Sequence, residues 1–405
     1  MLGENRLLEK LLRIGRKIIP KPVFNFFQPF YHFLLGFCAA ILYGFPGKKL
    51  IVIGVTGTKG KSTVVYLTHE LLQKAGLSVA SISSVEFRIK DKSWNNPLKM
   101  TMPGRFKIQK FFKQALDSGC KYMILEVTSE GIKQFRHKFI NFNAVAYTNL
   151  AKEHLESHHG FENYKKAKGK LFKELKRSNK KDKFLIVNKD DKYSEYYSKL
   201  AGKVKKYEYG FEEIETSLLG DFNNYNALAG INICIGLGLD KNKLYKDIKN
   251  IKGLPGRMEL IIKKPFKVFI DYAHTPDSLE AVYKTLGKGL ICVLGSAGGG
   301  RDKWKRPEMG KIADKYCDKI ILTNEDPYNE DPEEIIKDVA KGIKKDYKII
   351  LDRREAIKKA LSYKEKTIIT GKGSEILMCV KDKKIPWSDK KIVLEEYEKS
   401  FGSKS

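Results

Sequence analysis

Apolar, β-branched runs alternate with amphipathic stretches along most of the chain. Continuous apolarity within each run, rather than strict alternation, predicts parallel strands buried on both faces. One series of such strands is predicted at residues 50–55, 78–83, 122–127, 144–147 and 184–188. A second series is predicted at residues 267–270, 290–294, 319–322, 348–351 and 367–370. The pattern therefore predicts two α/β domains that meet near residue 252.

The first 47 residues follow a different pattern and are predicted to form a short helical hydrophobic arm. Residues 23–47 contain no Lys, Arg, Asp or Glu, and their length could span a bilayer. They also hold Asn25, Gln28, Pro29 and His32, and basic residues flank them on both sides. A helix packed on the protein or on a partner is favoured, and an interfacial membrane anchor and a true membrane span stay open as alternatives. A signal peptide is disfavoured.

The strongest local motif follows the first predicted strand. The run G-V-T-G-T-K-G-K-S-T at residues 54–63 leads into a predicted helix at 62–75, which Gly76 closes. This strand–loop–helix order is typical of a phosphate-binding loop, in which backbone N–H groups and a helix N-terminus face phosphate oxygens. Val55 stands where such loops usually begin with glycine, so the loop is a variant. The predicted nucleotide-binding residues here are Gly57, Thr58, Lys59, Gly60, Lys61, Ser62 and Thr63.

Composition limits the other functions that the chain could have. Hydrophobic residues make up 42% of the 405 residues and charged residues 31%, which is typical of a globular protein. The net charge of +29 comes mostly from lysine, because only twelve of the 77 basic residues are arginine. Nucleic-acid recognition is therefore not expected, and anionic small molecules are the favoured substrates. The six scattered cysteines predict neither a zinc site nor a disulfide framework.

Further motifs follow the predicted strands in a fixed order. Glu126 ends the strand at 122–127 and could bind Mg²⁺ held by Ser62, although alone it would more often be a solvated residue. Later motifs are T-N-L-A-K-E-H at 148–154, Y-K-K-A-K-G-K-L-F at 164–172, G-D-F-N-N-Y-N at 220–226, L-P-G-R-M-E at 254–259, D-Y-A-H-T-P-D at 271–277, G-R-D-K-W-K-R-P at 300–307 and G-K-G-S-E at 371–375. Together they resemble the Mur ligase family over about residues 48–395.

The resemblance implies a fold and a cofactor set. It implies a P-loop central ATPase domain at 48–251 with a mostly parallel sheet, and a Rossmann-like α/β domain at 252–405. It also implies ATP, two Mg²⁺ ions and a carbamylated Lys168. Catalytic roles fall on Lys61, Glu126, His154, Lys168 and Arg257, and the metal set is Ser62, Glu126, His154 and Lys168. Asn223 and Asn226 match positions near the adenine, and Arg257, Asp271 and His274 match the nucleotide-facing residues of the second domain.

The resemblance also implies an activity, the formation of a peptide bond between an amino acid and a muramoyl-peptide-type acceptor through an acyl phosphate. The residues implied to bind these substrates are Thr101, Thr128, Ser129, Arg301, Asp326, Tyr328, Gly371 and Glu375. Tyr328 stands where members that use diaminopimelate carry an arginine in a D-N-P-R motif. We therefore expect L-lysine, or a similar diamino acid without a distal carboxylate, to be preferred. The family's N-terminal uridine-binding domain is not matched, so a lipid-linked acceptor stays open.

Several alternatives remain from the sequence alone. Folylpolyglutamate synthetase and the Mur-like subunit of the lipid II amidating complex share the implied fold. The motifs at 271–277 and 300–307 disfavour the first, and the lack of a four-cysteine zinc insert disfavours the second. A basic P-loop ATPase acting on nucleic acid and a membrane-recruited scaffold are less favoured. We expect a cytoplasmic monomer that acts on small molecules, with possible membrane association through residues 23–47.

Overall fold

The computed structural model describes residues 21–98, 100–153 and 155–401, which form two large sheets, a β-hairpin and the helices that cover them. The strands of the first sheet are β1 (Ile51–Thr56), β2 (Val79–Ile82), β3 (Glu86–Ile89), β4 (Lys92–Asn95), β5 (Tyr122–Glu126), β6 (Ala144–Tyr147), β7 (Phe184–Asn188) and β8 (Lys205–Tyr209). Those of the second sheet are β9 (Glu259–Ile262), β10 (Val268–Asp271), β11 (Ile291–Leu294), β12 (Lys319–Leu322), β13 (Tyr347–Ile349) and β14 (Thr367–Thr370). The hairpin consists of β15 (Leu377–Val380) and β16 (Lys383–Pro386).

The helices lie between these strands in the chain. Those up to residue 248 are α1 (Lys21–Leu42), α2 (Lys61–Lys74), α3 (Arg105–Asp117), α4 (Ser129–Lys133), α5 (Leu155–His158), α6 (Phe161–Arg177), α7 (Ser194–Ala201), α8 (Asp221–Gly236) and α9 (Lys241–Ile248). The others are α10 (Pro276–Leu286), α11 (Lys305–Tyr316), α12 (Pro332–Ala340), α13 (Arg353–Ser362) and α14 (Asp389–Phe401).

The first sheet has the strand order β4-β3-β2-β5-β1-β6-β7-β8, and β3 and β4 form its antiparallel edge. The other six strands are parallel. β1 lies at the centre, and the chain proceeds to one side of it with β2 and to the other side with β6. Open α/β sheets bind ligands at the carboxyl ends of their strands beside such a reversal. The topology therefore places a site at the end of β1.

Burial explains why the parallel strands read as continuous apolar runs. On one face of the first sheet Val52 and Leu125 join a core that includes Phe112 and Phe172. On the other face Ile53 packs with residues of α2 and α8. Because both faces are covered, neither set of alternate positions can be polar. The predicted α/β class with a mostly parallel first sheet is confirmed.

The second sheet has the order β13-β12-β11-β14-β10-β9, in which only β9 is antiparallel among the strands described. All ten strands expected from the sequence are present, with ends that differ by two residues at most. The strands that the apolar pattern missed are β3, β4, β8, β9 and the hairpin. The side chains of β4 and β16 are exposed throughout, so their sequences carry little apolar signal.

Within the predicted hydrophobic arm, Lys21–Leu42 form a helix that packs along the first domain. Helix α1 contacts α3 and the segment at residues 135–140, with Ala39 and Ala40 fully buried. The Phe33 ring lies 5.1 Å from the ring of Phe139. In the described part of the chain, no helix combines the length and apolarity that crossing a membrane requires. The basic residues before position 21 lie outside the described residues.

Candidate active site

The phosphate-binding loop connects β1 to α2 and contains two glycines. Any other residue at either position would displace the neighbouring side chains. Gly57 has φ 153° and Gly60 has φ 81°. A Cβ atom at Gly57 would lie 1.9 Å from Oγ1 of Thr148, and one at Gly60 would lie 2.2 Å from Oδ1 of Asn226. The glycines therefore allow the loop to approach both neighbouring segments closely.

The segment after β6 holds the loop in place. The backbone N–H of Thr58 donates to the carbonyl oxygen of Asn149 at 2.8 Å, and that of Lys59 donates to its Oδ1 at 2.9 Å. The Lys61 ammonium folds back and donates to the Thr58 carbonyl at 2.7 Å. A bound triphosphate would offer Lys61 a stronger, charged acceptor in place of this carbonyl.

A buried carboxylate lies beside the start of α2. Oε2 of Glu126 accepts hydrogen bonds from Oγ of Ser62 at 2.9 Å and from the Ser84 N–H at 2.8 Å. Oγ of Ser84 also lies 2.7 Å from Oγ of Ser62. Only 2% of Glu126 is exposed, and oxygen ligands of this kind suit Mg²⁺. Within residues 21–98, 100–153 and 155–401, no cluster of three or more His, Cys, Asp or Glu forms a metal site by itself.

Lys168 lies directly beneath the loop. Helix α6 carries it, and its Nζ donates to the Gly57 carbonyl at 2.6 Å while lying 4.7 Å from the centre of the Tyr164 ring. Burial, and next the positive charge of Lys61, lower the pKa of Lys168 well below the ordinary lysine value. The surroundings of this amine therefore disfavour its protonated form.

The second domain faces the loop with the segment that follows β10. Asp271 accepts hydrogen bonds from the N–H groups of Met258 at 2.7 Å and Ala273 at 2.6 Å, so it connects the turn before β9 to the segment after β10. Burial raises the pKa of this carboxyl, and the charge of Arg257 opposes the rise. The Arg257 guanidinium lies 4.1 Å from the centre of the Tyr272 ring.

Polar contacts join the domains around a cleft of about 800 Å³. Nζ of Lys59 lies 3.1 Å from Oδ2 of Asp277, and Nε2 of His274 lies 3.5 Å from Oε1 of Glu153. The phosphate loop lines one wall of the cleft and Arg257 lines the other. A ligand in the cleft would therefore touch both domains.

Most of the residues predicted for the site line this cleft. They are Thr58, Lys59, Gly60, Lys61, Ser62, Thr63, Thr101, Glu126, Thr128, Ser129, Asn223, Asn226, Arg257, Asp271, His274, Arg301 and Glu375. Lys168 and Gly57 lie immediately behind the loop. His154 lies outside the described residues, so its predicted place beside the metal stays a prediction.

The remaining predicted residues form a layer behind the cleft. An N–H of Arg301 donates to the Tyr328 hydroxyl at 3.2 Å. The Lys372 ammonium donates to Oδ1 of Asp326 at 2.8 Å and to Oε2 of Glu375 at 2.7 Å. Gly371 has φ 104°, and a Cβ there would lie 2.2 Å from Oε2 of Glu325. Through these contacts the layer positions Arg301 and Glu375.

Sequence reasoning missed four residues of the site. Ser84 and Asn149 follow β2 and β6, so the rule that ligands gather at strand ends could have found both. Arg136 also lines the cleft, and Tyr164 covers the Lys168 amine. Tyr164 begins the motif at 164–172, but its place over the amine depends on how α6 packs. No pattern in the sequence marks Arg136, whose position depends on how the segment after α4 packs.

A phosphate-binding loop on a parallel sheet, facing a second α/β domain across a cleft, defines a nucleotide-dependent two-domain enzyme. Residues 55–213 match the Mur ligase middle domain, and residues 256–374 match the Mur ligase, glutamate ligase domain. The chain is 35% identical over 394 residues to a UDP-N-acetylmuramoyl-L-alanyl-D-glutamate--2,6-diaminopimelate ligase of Aquifex aeolicus, covering 89% of this chain and 80% of that one. A ligase of the same name from Fusobacterium nucleatum is 35% identical over 398 residues, with the same coverage. The chain belongs to the Mur ligase family.

Solved structures agree with this assignment. A UDP-N-acetylmuramoyl-L-alanyl-D-glutamate--2,6-diaminopimelate ligase matches with a TM-score of 0.58 and 29% identity, over 87% of this chain and 79% of that one. A Mycobacterium tuberculosis folylpolyglutamate synthase, complexed with ADP and AMPPCP, matches with a TM-score of 0.71 at 16% identity, over 91% and 95% of the two chains. This second likeness shows the fold alone. Family membership identifies the enzyme as an ATP-dependent carbon–nitrogen ligase.

We expect Lys61→Ala to lower ATP turnover by about a hundredfold or more, since it removes the cation that is predicted to face the phosphates. Steady-state ADP release with saturating amino acid and acceptor measures the effect. Lys74→Ala, which alters an exposed lysine at the opposite end of α2, is the matched control and should keep wild-type turnover. Equal turnover in both variants would remove Lys61 from the nucleotide site.

Proposed function

We propose that this enzyme joins an amino acid to a muramoyl-peptide-type acceptor during peptidoglycan precursor synthesis. The observation that carries the proposal is the cleft itself. The phosphate loop with Glu126 lines one wall, and Arg257 and Arg301 from the second domain line the other. The names of the relatives describe ligation of diaminopimelate to a UDP-linked muramoyl dipeptide, which supports the same substrate class here.

The proposed reaction has two steps. A carboxylate oxygen of the acceptor attacks the γ-phosphorus of ATP, ADP leaves, and an acyl phosphate forms. The amine of the amino acid then attacks the acyl carbon, and inorganic phosphate leaves. Lys61 and Arg257 would neutralise charge on the transferred phosphoryl group, and Glu375 would meet the incoming amine. Both steps depend on alignment within the closed cleft.

Ser62 and Glu126 would hold a first Mg²⁺, and Glu126, His154 and a carbamylated Lys168 would complete a second site. When bound, the ions supply positive charge to the phosphate oxygens. The fit rests on the buried carboxylate of Glu126, whose Oε2 hydrogen-bonds Ser62 and Ser84. Carbamylation would convert the buried Lys168 amine into an anion, which suits a metal ligand.

The proposed partners are small molecules. We propose that the enzyme acts as a monomer in the cytoplasm and does not act on nucleic acid. Peripheral membrane contact through α1 is proposed independently of the ligase activity. The exposed apolar side chains of that helix, among them Phe30 and Ile41, support it.

A phosphate-release screen tests the proposed function. Purified protein is incubated with ATP, Mg²⁺, a muramoyl dipeptide acceptor and each amino acid in turn. We expect phosphate release that requires acceptor and amino acid together, with a peptide product of matching mass. Release that depends on DNA or RNA instead, with no peptide product, would contradict the ligase proposal.

The carbamate predicts a rescue experiment. Lys168→Ala should be nearly inactive, because the variant has no anion beside the metal, and a short carboxylate such as acetate or formate should restore part of the turnover. Lys166→Ala, an exposed neighbour on α6, serves as the control and should be unaffected. Absence of rescue, together with an unmodified lysine in a metal-loaded crystal structure, would exclude the carbamate.

The amino-acid specificity is proposed from the surroundings of Tyr328. Three of the four nearby acids have partners of their own: Asp326 binds Lys372, Glu330 binds Arg306, and Asp331 caps α12. The fourth, Glu325, is buried, and its Oε2 accepts no hydrogen bond from the described residues.

This free oxygen supports a substrate with a cationic end. The Tyr328 hydroxyl offers a neutral group where a second arginine would fork onto a carboxylate. Arg301 already supplies one cation beside Tyr328. The arginine that position 328 lacks is therefore the feature that separates substrates with a distal carboxylate from those without one.

We therefore expect L-lysine to have a higher kcat/KM than meso-diaminopimelate. Tyr328→Arg should shift the ratio toward meso-diaminopimelate by about tenfold or more, because it supplies a bidentate donor for the distal carboxylate. Tyr328→Phe, which removes only the hydroxyl, should leave the order of preference unchanged. A wild-type preference for meso-diaminopimelate would show that Arg301 suffices for the carboxylate.

A further inference from the structure

Helix α1 is apolar on the side that faces away from the protein as well as on the side that packs. Its packed side includes Ala39, Ala40 and Gly36, and a Cβ at Gly36 would lie 3.4 Å from the Phe139 ring. This contact fixes the helix on the first domain, so the orientation of its other side is defined.

The outward side carries a continuous stripe of large apolar residues. Phe30, Leu34, Phe37 and Ile41 are 66%, 45%, 40% and 54% exposed. Their spacing of four, three and four residues places them on one line along a helix. Exposed apolar patches of this kind mark interaction surfaces. We call these four residues the exposed stripe.

Most of the charges near the exposed stripe are basic. The sequence of α1 contains no Asp or Glu, and Lys48 and Lys49 are exposed just beyond its end. Lys110 is exposed on α3, the helix against which α1 packs, and so is Lys113, which forms an ion pair with Asp117. In the sequence, Lys10, Arg13, Arg16 and Lys17 precede the helix. A partner that covers the stripe must therefore be apolar at its centre and anionic around it.

An anionic bilayer has this combination of properties. A helix with aromatic and aliphatic residues on one side and lysines around it is typical of helices that lie in the headgroup region. We propose that the exposed stripe inserts into the surface of an anionic membrane while the surrounding lysines contact lipid phosphates. The helix would lie in the plane of the interface.

The placement of α1 has a consequence for the cleft. Helix α1 packs against α3, which begins at Arg105. Arg105 in turn donates to the Gln134 carbonyl, and Gln134 and Arg136 line the cleft near Thr101. Docking through α1 would thus bring this end of the cleft close to the membrane, where an acceptor carried on a lipid could reach it. This consequence rests on the proposed ligase function, whereas the docking does not.

Vesicle co-sedimentation of the full chain tests the docking. We expect binding to vesicles of phosphatidylcholine mixed with phosphatidylglycerol, weaker binding to phosphatidylcholine alone, and release at raised salt. The double variant Phe30→Glu, Ile41→Glu should bind at least about tenfold less, since it places charge in the inserted side. The control Leu260→Glu, Ile385→Glu alters two exposed apolar residues of the second domain and should bind like the wild type.

A second measurement does not depend on a disruptive variant. In Phe30→Trp, tryptophan emission should shift to shorter wavelength on addition of the mixed vesicles, while Leu260→Trp should show no shift. ATP turnover with a water-soluble acceptor should be the same in the stripe variant and the wild type, so loss of docking and loss of ligation are separable. Equal sedimentation of wild type and stripe variant would overturn the proposal. So would a wild-type dimer that the stripe variant converts to a monomer.

Discussion

Parallel pairing of β1 with β5 on one side and β6 on the other is the constraint on which the site depends. Val55 is in register with Glu126 and with Ala146, so the three strands end side by side. The phosphate loop, the buried carboxylate and the Thr148 segment therefore meet at one edge of the sheet. A slip of one residue would turn Glu126 to the opposite face and separate it from Ser62.

The same pairing explains the position of the buried lysine. Helix α6 covers the sheet and carries Lys168 to the Gly57 carbonyl at the end of β1. A buried amine without a carboxylate partner is unfavourable in its charged form, and burial accordingly lowers its pKa. The protonated form of this amine is therefore less favourable beneath the phosphate loop than it would be in water.

The sequence was sufficient for the features that local pattern controls. Apolar runs located ten strands, and strand ends located Glu126 because parallel strands end at one edge. The pattern could not reveal which side chains are already paired. Glu325, Asp326, Glu330 and Asp331 lie close to Tyr328 in the sequence, yet Lys372 and Arg306 from distant segments pair with two of these acids. Such pairing depends on tertiary packing, which a single sequence does not display.

Exposed ion pairs are among the contacts between the two domains, whereas buried apolar side chains hold each domain together. The Lys59–Asp277 pair has side chains that are 30% and 68% exposed, and solvent screens such pairs, so they contribute little to holding the cleft closed. The reaction proposed above nevertheless needs Lys61 from one domain and Arg257 from the other to meet the same phosphoryl group. Ligands that bridge both walls would supply the closing interactions that these exposed pairs do not. In the proposed reaction, closure would then depend on substrate occupancy and would keep water from the acyl phosphate until the amino acid is in place.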